Sequence, residues 1–351
     1  MSNPQLIHRA NENSSLYNTI KARNSKKNIY DYSSETNICP VARSKIVVNA
    51  QTSLSADGNQ TVKFILPNFG LLEDCFLQTA FTQGDTNADT GAKDSFLVDM
   101  AGAFSWSRVR LVYQGSTVWE ATPEWTVCSE YLRANHEKSV LLDNMLGSAI
   151  IGSANDTLGN VEGRRMMSSA FGGCQLSCPI KGPWADGVER ALDLYSLSSD
   201  MVLEVDYRSI SAASGKQETP ADGQKFDSTR LICYVAELAP QELSSFQARN
   251  YSPGSVSSQL SFTTAHFQES VASPVEILTA GKGSVVKLNS ISGLVRKLYV
   301  FCTLDSDRAS TTDRKYMNLV DIGTVKLSAN NQTIYEIENC EIGVSKLNAA
   351  S

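Results

Sequence analysis

RVRLVYQGSTVWE, residues 108–120, and TVKLSANNQTIYE, residues 324–336, align without a gap. Val109, Arg110, Leu111, Thr117, Val118, Trp119 and Glu120 meet Val325, Lys326, Leu327, Thr333, Ile334, Tyr335 and Glu336. Each stretch reads as two strands around a turn, because its apolar and polar residues alternate with the period that puts successive side chains on opposite faces of a sheet. Upstream of each lies a matching pair of strand-like segments, TVKFILPNFGLLEDCFLQTAFT and SVVKLNSISGLVRKLYVFCTL, which share a Gly-Leu corner at Gly70-Leu71 and Gly293-Leu294. Alternation alone makes any two hairpins resemble each other. Matched order, matched turn and matched spacing point further, to one β-unit used twice.

The rest of the chain repeats the theme. KIVVNAQTSL, CFLQTAFT, MVLEVDYRS and RLICYVAEL in the first half, and QLSFTTAHF, GTVKLSA and QTIYEIE in the second, are short strand-like runs punctuated by Gly, Asn, Asp and Pro. ADGN at 56–59 signals a hairpin between the first two strands. Only two stretches look helical, Pro123 to Asn144 and Pro240 to Ala248, the second with proline near its start and Glu242 in the first turn. Long connections at 84–103, 147–173 and 211–227 are of the length that carries function or contacts.

The chain has 351 residues, 42% of them apolar and 19% charged, which is the composition of a globular protein with a real core and a length of about two domains. The net charge of −6 argues against a surface that neutralises nucleic-acid phosphates, so no sequence-specific nucleic-acid binding is expected. No run approaches the ~20 apolar residues of a membrane span, and the N-terminus lacks the apolar core of a signal peptide; a soluble, unsecreted chain is expected. The five Asn-x-Ser/Thr sequons, at Asn13, Asn59, Asn155, Asn250 and Asn331, are then chance in a chain rich in those residues. Residues 1–45 form a polar arm in which Arg9, Lys21, Arg23, Lys26 and Lys27 stand against Glu12 alone over the first thirty positions. Such an arm is either a solvated tail or a contact with an anionic surface.

The residues of catalysis are thin on the ground. His8, His136 and His266 are far apart with no His-x-His pair, so a metal site of the cupin type has no ligand set, and GKGS at 281–284 lacks the spacing of a phosphate loop. No G-x-S-x-G or H-E-x-x-H occurs. The cysteines, at 39, 75, 128, 174, 178, 233, 302 and 340, sit mostly inside apolar segments and read as buried thiols; CQLSC at 174–178 offers two zinc ligands where a structural site needs four. No catalytic residue, metal or cofactor is expected. Trp106, Trp119, Trp125 and Trp184 read as core residues, or, in a second reading, as the sugar platforms of a carbohydrate-binding or adhesin-like β-sandwich.

Several segments, in order, resemble the double jelly-roll major capsid proteins of icosahedral DNA viruses. FSWSRVRLVYQGSTVWEATPEW with the DNMLGS that follows, CPIKGPWADGVERALDLYSLSSDMVLEVDYRS, RLICYVAELAPQELSSFQ and VVKLNSISGLVRKLYVFCTL carry the resemblance, which covers residues 46 to 337; the family's His-Pro at the last turn is replaced by Ile291-Ser292. It implies an all-β chain of two tandem jelly rolls with short helices in the connections: an arm at 1–45, a first roll at 46–238, a linker with a short helix at 239–254 and a second roll at 255–351. It also implies a non-enzymatic role in a shell: homotrimeric capsomers of nearly hexagonal outline, contacts with neighbouring capsomers and with minor capsid and penton proteins, and assembly in the host cytoplasm into the virion. Arg9, Lys21, Arg23, Lys26 and Lys27 would face inward, toward an internal viral membrane. About 118 residues follow Glu120 before the first roll closes near Leu238, but 15 follow Glu336. The second roll is therefore compressed, a fragment, or completed by another polypeptide.

Overall fold

The computed structural model describes residues 41–82, 97–131, 134, 136–147, 173–182, 184, 191–195, 197, 199–214, 224–240, 243–244, 297–301, 303, 305–310, 314–317, 322–329, 332–340 and 344–348. The strands of its first half are β1 (Val41–Asn49), β2 (Thr61–Ile65), β3 (Leu71–Thr82), β4 (Trp106–Tyr113), β5 (Ser116–Ala121), β6 (Gly173–Pro179), the two-residue β7 (Leu192–Asp193), β8 (Met201–Tyr207) and β9 (Lys225–Leu238). Two antiparallel sheets result, one in the order β1-β9-β3-β6 with β7 beside β3, the other in the order β2-β8-β4-β5. Setting β7 aside, every connection between consecutive strands crosses from one sheet to the other, except the β4–β5 hairpin. Eight strands wound so between two four-stranded sheets make a jelly roll. The all-β fold class read from the sequence is the observed one.

The period of two explains why the sheets face each other. On β8, Met201, Leu203, Val205 and Tyr207 are buried and alternate with Val202, Glu204 and Asp206, which are half-exposed. Val62 and Phe64, Cys75, Leu77 and Phe81, Val109 and Leu111, Trp119 and Ala121, and Leu231, Cys233 and Val235 stand at positions of one parity on their strands and meet in one core. Each such large side chain contributes about 1.5–3 kcal/mol by leaving water. A chain of hydroxyls crosses this apolar layer: Thr79 Oγ1 lies 2.9 Å from Tyr207 Oη, and Tyr207 Oη 2.6 Å from Thr229 Oγ1. Thr229 in turn donates to the Gln78 carbonyl at 3.3 Å. Burial pushes the Tyr207 phenol up to about 12, so it stays neutral in the core.

Two turns need glycine. In the β4–β5 hairpin Gln114 and Gly115 have φ of 49° and 77°, the double positive φ of a type I′ turn, whose twist matches that of its strands. At the corner before β3, Gly70 has φ of 82°, and a Cβ there would lie 2.0 Å from Val235 Cγ1.

Some expectations shift. Strand β1 starts at Val41, so residues 41–45 of the expected arm are strand, paired from Val41↔Leu238 to Lys45↔Tyr234; Arg43, Ser44 and Lys45 mask it by breaking the apolar alternation. ADGN does make a turn, with Gly58 N donating to Ser55 O, but β1 and β2 then join different sheets. A turn signal encodes the local reversal and not the partner of either strand. The helix expected over Pro123–Asn144 is two, α2 (Pro123–Tyr131) and α3 (His136–Leu146). Short helices α1 (Ala101–Phe104) and α4 (Ile210–Ala213) lie in connections that were read as loops. Near Pro240, Leu243 N donates to Ala239 O in a helical turn. Strand β6 carried no clear alternation in sequence, while QLSFTTAHF and SVVKLNSI lie outside the described residues.

The second half contributes β10 (Lys297–Phe301), α5 (Asp305–Arg308), β11 (Ile322–Ala329), β12 (Gln332–Cys340) and β13 (Val344–Asn348). Strands β11 and β12 form a hairpin, and β10, which precedes it, pairs antiparallel with β13, which follows it. In the first half β3 precedes the β4–β5 hairpin and pairs antiparallel with β6, which follows it. The registers agree residue for residue: Val109↔Ala121, Arg110↔Glu120, Leu111↔Trp119, Val112↔Thr117 and Tyr113↔Ser116 correspond to Val325↔Ile337, Lys326↔Glu336, Leu327↔Tyr335, Ser328↔Thr333 and Ala329↔Gln332. Both ladders slip at the same place, after Leu111 and after Leu327.

Candidate assembly surfaces

Four of the described cysteines are held as unreactive thiols. Cys75, Cys128, Cys178 and Cys233 are buried free thiols. Burial pushes Cys75 and Cys178 well above the ordinary thiol value and Cys128 up to about 12, whereas a reactive cysteine needs its thiolate stabilised. Cys174 and Cys178 are four positions apart on β6, a separation of about 13 Å along a strand, too far to share one ion. Trp106, Trp119 and Trp184 are core residues and Trp125 is half-buried against them, so the platforms of the sugar-binding reading are spent on packing. His136 opens α3; His8 and His266 lie outside the described residues, as do Arg9, Lys21, Arg23, Lys26 and Lys27.

The surface is organised by the sheets. On the outer face of β2-β8-β4-β5, Lys63 Nζ lies 2.8 Å from Glu204, Arg110 bridges Glu204 at 3.2 Å and Asp206 at 3.1 Å, and Arg108 reaches Asp206 at 3.0 Å. Thr61 donates to Asp206 at 2.6 Å. Partial burial raises the Asp206 carboxyl, but the hydrogen bonds from Thr61 and Arg108 and the charges of Arg110 and Arg108 outweigh it, and the group is held below its ordinary value. This ladder joins three strands. Sequence reading missed it because the charges are ordinary until β8 is known to lie between β2 and β4.

The outer face of β1-β9-β3-β6 is different. Val47 and Phe76 both stand opposite Ile232, on either side of it, and Tyr234 meets Phe76 edge-on with ring centroids 5.8 Å apart. Val47 and Tyr234 are exposed within a polar border that includes Lys45, Arg43 and Arg230. A strip of this kind, apolar at its centre and polar at its rim, has the anatomy of a contact surface.

Helices α2 and α3 are tied to the roll by Glu130, whose nearly buried carboxylate lies 3.0 Å from Lys181 Nζ and 3.4 Å from Lys138 Nζ. A buried carboxylate stays in place only with such cations beside it. Tyr131 donates to Asp143, joining the two helices, and Val140 and Leu141 of α3 remain exposed. On the second hairpin Ile334 is 63% and Tyr335 37% exposed, although Trp119, in register with Tyr335, is 4% exposed.

No protein-family model and no curated protein matches the sequence. Solved structures that match it include viral major capsid proteins. The quasi-atomic capsid of the virus PBCV-1 matches with a TM-score of 0.45 at 14% identity, over 63% of this chain and 47% of that one. PBCV-1 VP54, fitted into a reconstruction of the virophage Sputnik, matches with a TM-score of 0.44 at the same identity and coverage. The Faustovirus major capsid protein matches with a TM-score of 0.42 at 10% identity, over 70% of this chain and 64% of that one. The chain thus spans from about half to just under two thirds of the length of these structures.

Proposed function

We propose that the chain is a structural capsid subunit that self-assembles into homotrimeric capsomers tiling an icosahedral shell. The observation that carries this reading is the repeated hairpin: the same register and the same slip occur once inside a complete jelly roll and once beyond it. We read the first roll as ending at Leu238, residues 239–254 as the linker and residues 255–351 as the second unit. Three copies of a chain holding two like units present six like corners, which is the outline a hexagonal lattice needs. The order of motifs along the sequence supports the same assignment, as do the apolar strip on one sheet and the exposed α3 residues, which offer area for contacts.

The chemistry of such a subunit is assembly. Its partners are further copies of itself and the minor capsid and penton proteins of its shell; its place is the virion, after assembly in the host cytoplasm. The basic arm with Arg9, Lys21, Arg23, Lys26 and Lys27 faces inward to an internal membrane. The mass of the purified chain tests the reading. A stable trimer with interfaces above the ~2,000 Å² typical of obligate contacts supports it, and a monomer at micromolar concentration opposes it.

A further inference from the structure

The second half of the chain inserts a side chain into the core of the first. Tyr316, 6% exposed, stacks on Phe104 of α1 with ring centroids 5.2 Å apart and planes 19° apart. The Arg208 guanidinium lies over the same ring, 4.4 Å from its centroid, and donates from Nε to the Trp106 carbonyl at 3.0 Å. The Tyr316 hydroxyl donates to the Ala212 carbonyl at 3.0 Å. Two residues earlier, the buried Arg314 donates from Nη1 to the carbonyls of Ser211 and Ala212 at 3.1 and 3.3 Å. These are carbonyls of the last turn of α4, which a helix of four residues leaves without intrahelical partners and which a cation suits. Glu124 of α2 lies 3.8 Å from both Arg208 and Arg308, so that a residue of α5 is drawn to the same place. Lys315 N donates to Asp307 O at 3.0 Å and ties residues 314–317 to residues 305–310.

We propose that residues 305–310 and 314–317 form a strap that fixes the second β-unit to the first jelly roll, with Arg208 and Tyr316 as its coupled pair. The socket on the first roll is made from Phe104 of α1, Arg208 after β8 and the carbonyls of α4, and it fits an Arg-x-Tyr sequence: a planar ring against a ring and a guanidinium, and one guanidinium nitrogen on two carbonyls. The strap stands between β10 and β11 in the sequence, so anchoring it restrains both strand pairs of the second unit. An aromatic ring packed against both a second ring and a cation resists sliding out of its place. The two units then behave as one building block whichever assembly they serve, and the strap stands or falls independently of the capsid reading.

Amide hydrogen exchange on the full chain tests this. Tyr316→Ala is expected to speed exchange in 297–301 and 322–340 about tenfold while 41–82 and 224–238 keep their protection. Arg208→Gln lies in the first roll but is expected to give the same signature in the second unit. The double variant should add little to the larger single effect, since the two residues act as one contact. Tyr316→Phe keeps the stack and loses the bond to Ala212, and is expected to fall between wild type and Tyr316→Ala even where the alanine variant folds poorly. Unchanged exchange in 322–340 for Arg208→Gln and Tyr316→Phe, or fully additive effects in the double variant, would overturn the strap.

Discussion

Leu327 stands opposite Tyr335 as Leu111 stands opposite Trp119, and in both hairpins the ladder slips directly after the leucine. Alternation alone would not put an irregularity at the same step twice. A slip re-aims the side chains beyond it, so its position is part of how a hairpin fits its sheet. The two hairpins share their internal geometry and differ in what covers them: Trp119 packs on Trp184 at 6.1 Å between centroids, whereas Tyr335 is partly open.

That difference sets a pair of expected costs. Trp119→Ala should destabilise the first roll by about 3–5 kcal/mol, the range for deleting a buried aromatic side chain. Tyr335→Ala should cost less than ~1 kcal/mol, as a surface change does. Urea denaturation of the isolated chain measures both. Equal costs would mean that Tyr335 is as fully packed as its counterpart.

Tyr207→Phe removes the middle of the hydroxyl chain while keeping the ring against Phe226. Thr79 then loses its buried partner, and Thr229 retains the Gln78 carbonyl. The expected loss is about 1–3 kcal/mol, the range for leaving a buried polar group unsatisfied. A neutral substitution would show that the hydroxyls find other partners.

The Asp206 carboxyl has a folded-state value below its ordinary 3.8. A lowered acid contributes stability that is present above its unfolded value and lost as the pH falls through the folded one. The stability gap between the wild type and Asp206→Asn should therefore be flat above about pH 5 and close as the pH falls below 3.8. Added salt should narrow the gap at neutral pH, because Arg108 and Lys63 are half in solvent. A gap that widens in acid would contradict the sign.

Removal of residues 1–30 tests the arm. Each basic residue near an anionic bilayer contributes on the order of 1 kcal/mol, so five give reversible binding that salt weakens. Co-sedimentation with anionic liposomes should fall on truncation, and for the intact chain should fall between low and high salt. Binding that ignores both changes discards a membrane role for Arg9, Lys21, Arg23, Lys26 and Lys27.

Much of this architecture was legible from alternation. The β4–β5 and β11–β12 hairpins, and β8 and β9, announce themselves because one face of each strand is apolar, and the tryptophans read correctly as core because each lies in an apolar setting. What alternation cannot supply is pairing. ADGN joins strands that end in opposite sheets, and Lys63, Arg110, Glu204 and Asp206 form a ladder that exists only once β8 lies between β2 and β4. The strap was illegible for a related reason. Arg314 and Tyr316 stand in a polar connection, and nothing local to them tells of Phe104, Arg208 or the α4 carbonyls, one to two hundred residues earlier.

The capsomer proposed for this chain is a three-fold unit of a shell. Electron cryo-microscopy of the particles that contain it tests that most directly, by fitting the first roll and the β11–β12 hairpin into the density of one capsomer. Capsomers with three copies and a nearly hexagonal outline are expected, in which the two hairpins occupy equivalent places in neighbouring units. Density that places the chain singly, or at sites without three-fold symmetry, would contradict it.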